Sequence, residues 1–381
     1  MTSRLAIIRQ KYRPDGGAER FISRALEGLS QHDLEISVIT RQWSGEGDYQ
    51  IITCNPAKWS RISREKRFAE EACRLISQHE FDLVQSHERL TCCDIFRAGD
   101  GVHRMWLEQR KRILSPLRAK WLDLSPYHRY VCNAEKKLFE SPRLKAVICN
   151  SEMVKQEIRN TFAIDPEKLH VIYNGINTRK FDPTLRDSHR DEARNKLGIP
   201  PSAIATIFVG SGFERKGLKG ALRAIAGGSS SAHLIVVGND KHQTQYQEEA
   251  HALGIADRVH WLGVQQDVIP WYCAADALIL PTLYDPFPNV IFEALAFALP
   301  IITSHKCGGA ELVTEDENGW VCDALNYEGL ARAVAKLVSH EKCQEMGLYS
   351  RQRSLEFEQS LMIDKLVQLY RDLITRNSEN E

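Results

Sequence analysis

Short runs of apolar, largely β-branched residues recur along this chain, and helix-length amphipathic segments separate them. In the first half the runs cover residues 5–9, 35–40, 49–53, 82–86 and 145–150, with helical segments at 18–29 and 64–78. In the second half they cover 204–209, 233–237, 259–262, 277–280 and 301–303, with helices near 218–226, 243–253 and 290–298. A strand that is apolar at every position needs cover on both faces, which a parallel sheet flanked by helices supplies. Two such series predict an α/β protein of two doubly wound domains. The 381 residues suffice for both, since single cores seldom grow beyond roughly 250–300. Asn174-Gly175, a turn signal after a strand-like stretch at 169–173, sets the junction and gives domains at 1–173 and 174–355. Residues 356–381 read as a last helix, with Leu361, Ile363, Leu366, Leu369, Tyr370 and Ile374 at helical spacing, and a polar tail from 377.

Composition narrows the function classes. Hydrophobic content of 43% with 26% charged residues is that of a soluble globular protein, and a net charge of zero argues against a nucleic-acid binder. No apolar run approaches the ~20 residues that span a bilayer, and the N-terminus lacks the pattern of a signal peptide. The ten cysteines are scattered without a C-x-x-C pair; they are expected to be reduced structural thiols in a cytoplasmic protein.

Three loops carry residues suited to chemistry. Gly16-Gly17 lies between the first strand and the first long helix, where paired glycines let backbone N–H groups approach a phosphate or sugar; an ordinary glycine-rich turn looks the same. Gly210-Ser211-Gly212-Phe213-Glu214-Arg215-Lys216-Gly217 follows the strand at 204–209 and opens a helix. Arg215 can grip diphosphate oxygens bidentately while Lys216 acts as a point charge, although a solvated basic turn is the plainer alternative. The loop matches neither the P-loop nor the dinucleotide fingerprint. Third, Asp285 lies in the loop after the strand at 277–280, and Glu293 follows on the next helix. Two acceptors at one strand terminus can hold different parts of a polyhydroxylated ligand, with the amides of Asn289, Val290 and Ile291 toward an anion. Alternatively Asp285 caps a turn and Glu293 is surface.

The order Gly16-Gly17, Asn174-Gly175, Arg215-Lys216, Asp285 to Glu293 resembles the family 4 retaining glycosyltransferases, over nearly the whole chain. Residues 284–300 resemble that family's acidic-x7-Glu signature, a small-residue helix and a proline. The resemblance implies the GT-B fold: two Rossmann-like domains facing a central cleft, the first binding acceptor and the second donor, with the C-terminal helix packing back toward the first. It implies that Gly16, Gly17, Asn174, Gly210, Arg215, Lys216, Asp285, Asn289, Val290, Ile291 and Glu293 bind a nucleotide-sugar donor. The cation pair would hold the diphosphate, Asp285 the hexose hydroxyls and Glu293 the ribose. Asp285 stands where many relatives have Glu, which leaves the sugar open.

Arg97-Ala98-Gly99-Asp100-Gly101-Val102-His103, with Trp106-Leu107, resembles the branch that glucosylates the inner-core heptose of bacterial lipopolysaccharide. On that likeness Asp100 is the acceptor-side catalytic residue, beside Arg215 and Lys216, and His103 is an acceptor contact, with His87 an alternative. The implied reaction moves glucose from UDP-glucose with retention, by front-face attack with proton transfer to the leaving phosphate. The chain contains no Asp-x-Asp, so no metal or other cofactor is expected beyond the UDP-sugar co-substrate. Closure about Asn174-Gly175 would exclude water. Basic and apolar residues intermix at 104–121, which reads either as a peripheral contact with anionic membrane on the cytoplasmic face or as a helix pair facing the core. Transfer to capsule or O-antigen sugars, a sugar-nucleotide epimerase and a non-catalytic sugar-nucleotide binder are the competing readings.

Overall fold

The computed structural model describes residues 3–11, 25, 26, 34–44 and 47–379. They form two compact units, one of residues 1–175 with 359–381 and one of 176–358.

The first unit holds a seven-stranded sheet: β1 (Ser3–Ile8), β2 (Leu34–Thr40), β3 (Gln50–Thr53), β4 (Leu83–Ser86), β5 (Ile95–Ala98), β6 (Ala146–Cys149) and β7 (Leu169–Val171). Every pairing is parallel, in the order β3-β2-β1-β4-β5-β6-β7. Alternate side chains feed opposite cores. Ala6, Ile8, Val84, Phe96 and Val147 pack on one side with Phe68 and Ala72 of the helix α1 (Arg61–Ser77). Leu5, Ile7, Leu83, Ile95 and Ile148 pack on the other with Met362, Leu366 and Tyr370 of the C-terminal helix Gln359–Glu379. That last helix therefore belongs to the first unit. Each buried aliphatic or aromatic side chain contributes roughly 1.5–3 kcal/mol, and Tyr370 also donates its hydroxyl to Gln85 Oε1 at 2.7 Å. α1 starts at a reciprocal cap between Ser60 and Ser63, which satisfies two otherwise orphan backbone donors.

The unit boundaries fall after Gly175 and Glu358, two and three residues beyond the expected 173 and 355. Gly175 backs onto Gln359, where an added Cβ would lie 2.6 Å from the Gln359 Cα, whereas Ile176 pairs with the backbone of Phe357 and Glu358. The cysteines are not all thiols: Cys73, on α1, is bonded to Cys92, in the β4–β5 loop. The other eight are free.

The second unit holds six parallel strands, β8 (Ala205–Val209), β9 (His233–Val237), β10 (Val259–Gly263), β11 (Ala277–Leu280), β12 (Ile301–Ser304) and β13 (Gly319–Cys322), in the order β10-β9-β8-β11-β12-β13. At the amino end of β11 the buried Asp276 ties three elements together. It accepts from Ala205 N at 2.8 Å, from Arg190 at 2.6 Å and Arg194 at 3.3 Å on the helix Arg186–Leu197, and pairs with His340 Nδ1 at 3.0 Å.

Candidate active site

In doubly wound sheets a ligand crevice opens at the carboxyl ends of the strands, where the strand order reverses. In the second unit that point lies between β8 and β11. The loops after these two strands are locked together: Arg215 O accepts from Leu283 N and Thr282 Oγ1, each at 2.8 Å. Gly217 makes the contact possible, since its φ is +79° and a Cβ there would lie 1.8 Å from Pro281 O.

This lock converges the charges. Arg215 Nη1 and Lys216 Nζ each stand 2.7 Å from Asp285 Oδ2. Arg215 also donates to Tyr284 O at 3.3 Å. Burial alone would raise the Asp285 carboxyl, but the Lys216 ammonium and the Arg215 guanidinium outweigh it and hold the carboxyl below its ordinary value. The two cations differ in access: the Arg215 side chain is 40% exposed and that of Lys216 11%. Lys216 lies along Gly210, whose hypothetical Cβ would be 3.3 Å from the Lys216 Cε.

Glu293 is fully buried in the helix Asn289–Ala296 and accepts from Tyr272 Oη at 2.9 Å. Tyr272 in turn stacks on Phe297, with ring centroids 5.3 Å apart. At the start of that helix the Ile291 amide donates to Pro288 O at 3.1 Å and so is engaged within its own turn. The sequence reading missed the loop Cys307-Gly308-Gly309. It pairs with Asp285 through a backbone bridge, and Gly308 N donates to Asp285 O at 2.9 Å. Two glycines after a strand were the available signal, and a Cβ on Gly309 would approach Ile291 to 2.7 Å.

The first unit has its own reversal between β1 and β4, and a cavity of about 380 Å³ opens there. Its wall combines Arg9–Lys11 after β1, Glu88–Leu90 after β4, Arg64, Glu65 and Phe68 of α1, Tyr127, Tyr130 and Asp100. Its charges are largely paired: Arg9 with Glu88 at 3.6 Å, Arg64 with Glu65 at 2.7 Å and Arg89 with Glu135 at 2.9 Å. Asp100 is exposed and has no hydrogen bond or ion pair among the described residues.

The remaining expected residues are placed differently. His103 pairs with His128 at 2.9 Å and does not line the cavity; burial, then Arg89, bring its imidazole down to about 4. Burial, with Arg97 and Arg9 nearby, also keeps the His87 imidazole far below its ordinary value. Asn174 belongs to the first unit, where its side-chain oxygen accepts from the buried Arg97 at 2.5 Å. Gly16 and Gly17 lie outside the described residues. Among the described residues no group of three or more His, Cys, Asp or Glu is arranged to hold a metal ion.

Residues 15–180 match the family description Glycosyltransferase Family 4, and residues 189–353 match Glycosyl transferases group 1. An uncharacterised glycosyltransferase of Methanocaldococcus jannaschii is 30% identical over 355 residues, covering 88% of this chain and 89% of that protein. The chain belongs to the family 4 glycosyltransferases. This glycosyltransferase is also 24% identical over 343 residues to the lipopolysaccharide glucosyltransferase WaaG of Escherichia coli, covering 88% of this chain and 89% of WaaG. A crystal structure of WaaG superposes with a TM-score of 0.82 at 21% identity, over 96% of this chain and 99% of that one, which shows the GT-B fold. Anabaena HepE, solved in complex with UDP-glucose, superposes with a TM-score of 0.71 at 18% identity, over 97% and 99% of the two chains.

Proposed function

We propose that this glycosyltransferase moves glucose from UDP-glucose to a heptose of the lipopolysaccharide inner core, with retention. The observation that carries this reading is the Arg215–Lys216–Asp285 cluster at the reversal point of the second sheet. The likeness to WaaG supports the acceptor class, and the UDP-glucose complex of HepE supports the donor.

The second unit binds the donor. Arg215 and Lys216 face the diphosphate and stabilise the charge that grows on departing UDP, commonly the largest catalytic term. Asp285 Oδ2 already accepts from both cations, so its second oxygen takes a hexose hydroxyl. Glu293, oriented by Tyr272, takes the ribose hydroxyls. The acceptor enters the cavity of the first unit, which Tyr127 and Tyr130 line, and Asp100 orients the attacking hydroxyl. That hydroxyl attacks on the face the phosphate leaves, and its proton passes to the leaving phosphate. The cation pair supplies the charge that a metal ion would otherwise provide.

The enzyme works at the cytoplasmic face of the membrane through the helix Pro116–Leu124. None of that helix's residues is buried, and Leu117, Trp121 and Leu124 stand exposed beside Arg118 and Lys120. Arg110 lies against Trp106 and Lys111 pairs with Asp123, so the lipid-facing part of 104–121 is its second half. No helix among the described residues is long and apolar enough to cross a membrane.

The reading is tested by incubating the protein with UDP- and GDP-sugars, with and without heptose-terminated lipopolysaccharide core, and following nucleotide release. UDP release from UDP-glucose that depends on the core is expected. Release only with another envelope glycan would replace the acceptor, and UDP binding without turnover would leave a non-catalytic binder.

A further inference from the structure

The Cys73–Cys92 bridge joins two elements that both contribute to the wall of the first unit's cavity. The helix α1 contributes Arg64, Glu65, Phe68 and Ala69 to its wall, and Cys73 follows Ala69 by one helical turn on the same face. The β4–β5 loop contributes Glu88, Arg89 and Leu90, and Cys92 follows Leu90 by two residues. Both cysteines are half-buried, not enclosed in the core. The eight free cysteines differ from the bridged pair. Burial raises the thiols among them above their ordinary value, those of Cys93, Cys149, Cys307 and Cys343 to about 12, which suppresses the reactive thiolate.

We propose that Cys73 and Cys92 form a thiol–disulfide modification site through which the glutathione couple sets the cavity's grip on the acceptor sugar. The proposal rests on the reading of that cavity as the acceptor site. In the reducing direction a glutathione thiolate attacks one sulfur, a mixed disulfide forms as the protein S–S bond breaks, and the released cysteine takes a proton from water. A second glutathione thiolate then attacks the glutathione sulfur of the mixed disulfide, so that glutathione disulfide forms, the remaining cysteine leaves as its thiolate and that thiolate also takes a proton. Two electrons pass from two glutathiones to the protein, and glutathione disulfide reverses the reaction. After reduction the loop stays in place through Arg89 to Glu135 and through Ser141 Oγ to Thr91 O at 3.0 Å, so the unit remains folded. The cross-link that restricts relative movement of the two walls is gone, and an acceptor must then order them on binding.

The full-length protein is equilibrated across glutathione to glutathione disulfide ratios. Differential alkylation reads the two cysteines, hydrogen exchange reads residues 61–77 and 87–93, and initial rates give both KM values. Expected are protection of Cys73 and Cys92 together and faster exchange of both segments on reduction. The acceptor KM should rise about three- to tenfold on loss of preorganisation, with the donor KM unchanged. The variant Cys73→Ser with Cys92→Ser is expected to show the reduced values in every buffer. Alkylation of both cysteines at all ratios, or an acceptor KM equal in the two states, would overturn the proposal. Failure of the acceptor reading itself is seen separately, in the oxidised protein alone, as an acceptor KM unmoved by Tyr127→Ala and Tyr130→Ala.

Discussion

Asp285 is held by the two cations that the donor diphosphate is proposed to engage, and this sharing decides what each residue can do. A buried carboxylate accepting from both keeps their heads converged, and the exposed remainder of Arg215 is left to reach outward. Replacing Arg215 and Lys216 together by Ala is expected to lower kcat by about 10²–10³ or more, the scale seen when transition-state donors are removed. Measured with saturating UDP-glucose and acceptor, a near-normal kcat with only a raised donor KM would reduce the pair to ground-state binding. These residues were legible in the sequence because each lies in the loop that follows an apolar run. Tyr272 was not, because a tyrosine in an apolar stretch reads as core and nothing local links it to Glu293. Cys73 and Cys92 were equally silent, since only the packing of α1 on the β4–β5 loop brings them together.

Elements were legible where a run of mainly β-branched and apolar residues stood between helical segments, even with a polar residue at an end, as in β4 (LVQS) and β9 (HLIVV). β5 and β13 escaped notice for opposite reasons. Ile95–Ala98 is a fully buried central strand interrupted by Arg97, whose side chain reaches Asn174. Gly319–Cys322 is an edge strand that opens with a glycine at φ +157°, with a Cβ position 1.9 Å from Ile301 O. The segment 104–121 shows the limit of pattern reading, since its two halves share a composition but not an environment. The helix His103–Lys111 buries Leu107, whereas Leu117 and Trp121 on the next helix are 75% and 74% exposed. Changing Leu117 and Trp121 to Ser, with Arg118 and Lys120 to Gln, is expected to abolish sedimentation with vesicles rich in anionic lipid, each cation contributing about 1 kcal/mol at such a surface. Turnover of a detergent-dispersed acceptor should persist. Unchanged sedimentation at moderate salt would remove the lipid role of this helix.

At the scale of the whole molecule, chain order and unit order differ, because the last helix returns to the first sheet while residues 176–358 close on themselves. The second unit therefore depends on its own long-range ties, and Asp276 is the densest of them. Burial would raise its carboxyl, but the His340 hydrogen bond, Arg190 and the Ala205 amide prevail and bring it down to about 2 from an ordinary 3.8. His340 moves the other way: its hydrogen bond to Asp276 raises its imidazole despite the cost of burial. The depressed carboxyl stabilises the fold above its unfolded value near 4, and that contribution is lost as pH falls toward 2. The raised imidazole stabilises below its unfolded value of 6.5 and loses that contribution as pH rises through its higher folded value. The pair thus favours a plateau between about pH 4 and 6.5, with an acid limb on the order of 2 kcal/mol. Asp276→Asn keeps an oxygen for the Ala205 amide but leaves Arg190, Arg194 and His340 without their buried counter-charge. Loss of one partner from such a pair costs about 3–5 kcal/mol. Thermal unfolding of both proteins from pH 2.5 to 8 should show the largest difference on the plateau, shrinking at both ends. Parallel curves across the whole range would mean that the Asp276 charge does not govern the stability of this unit.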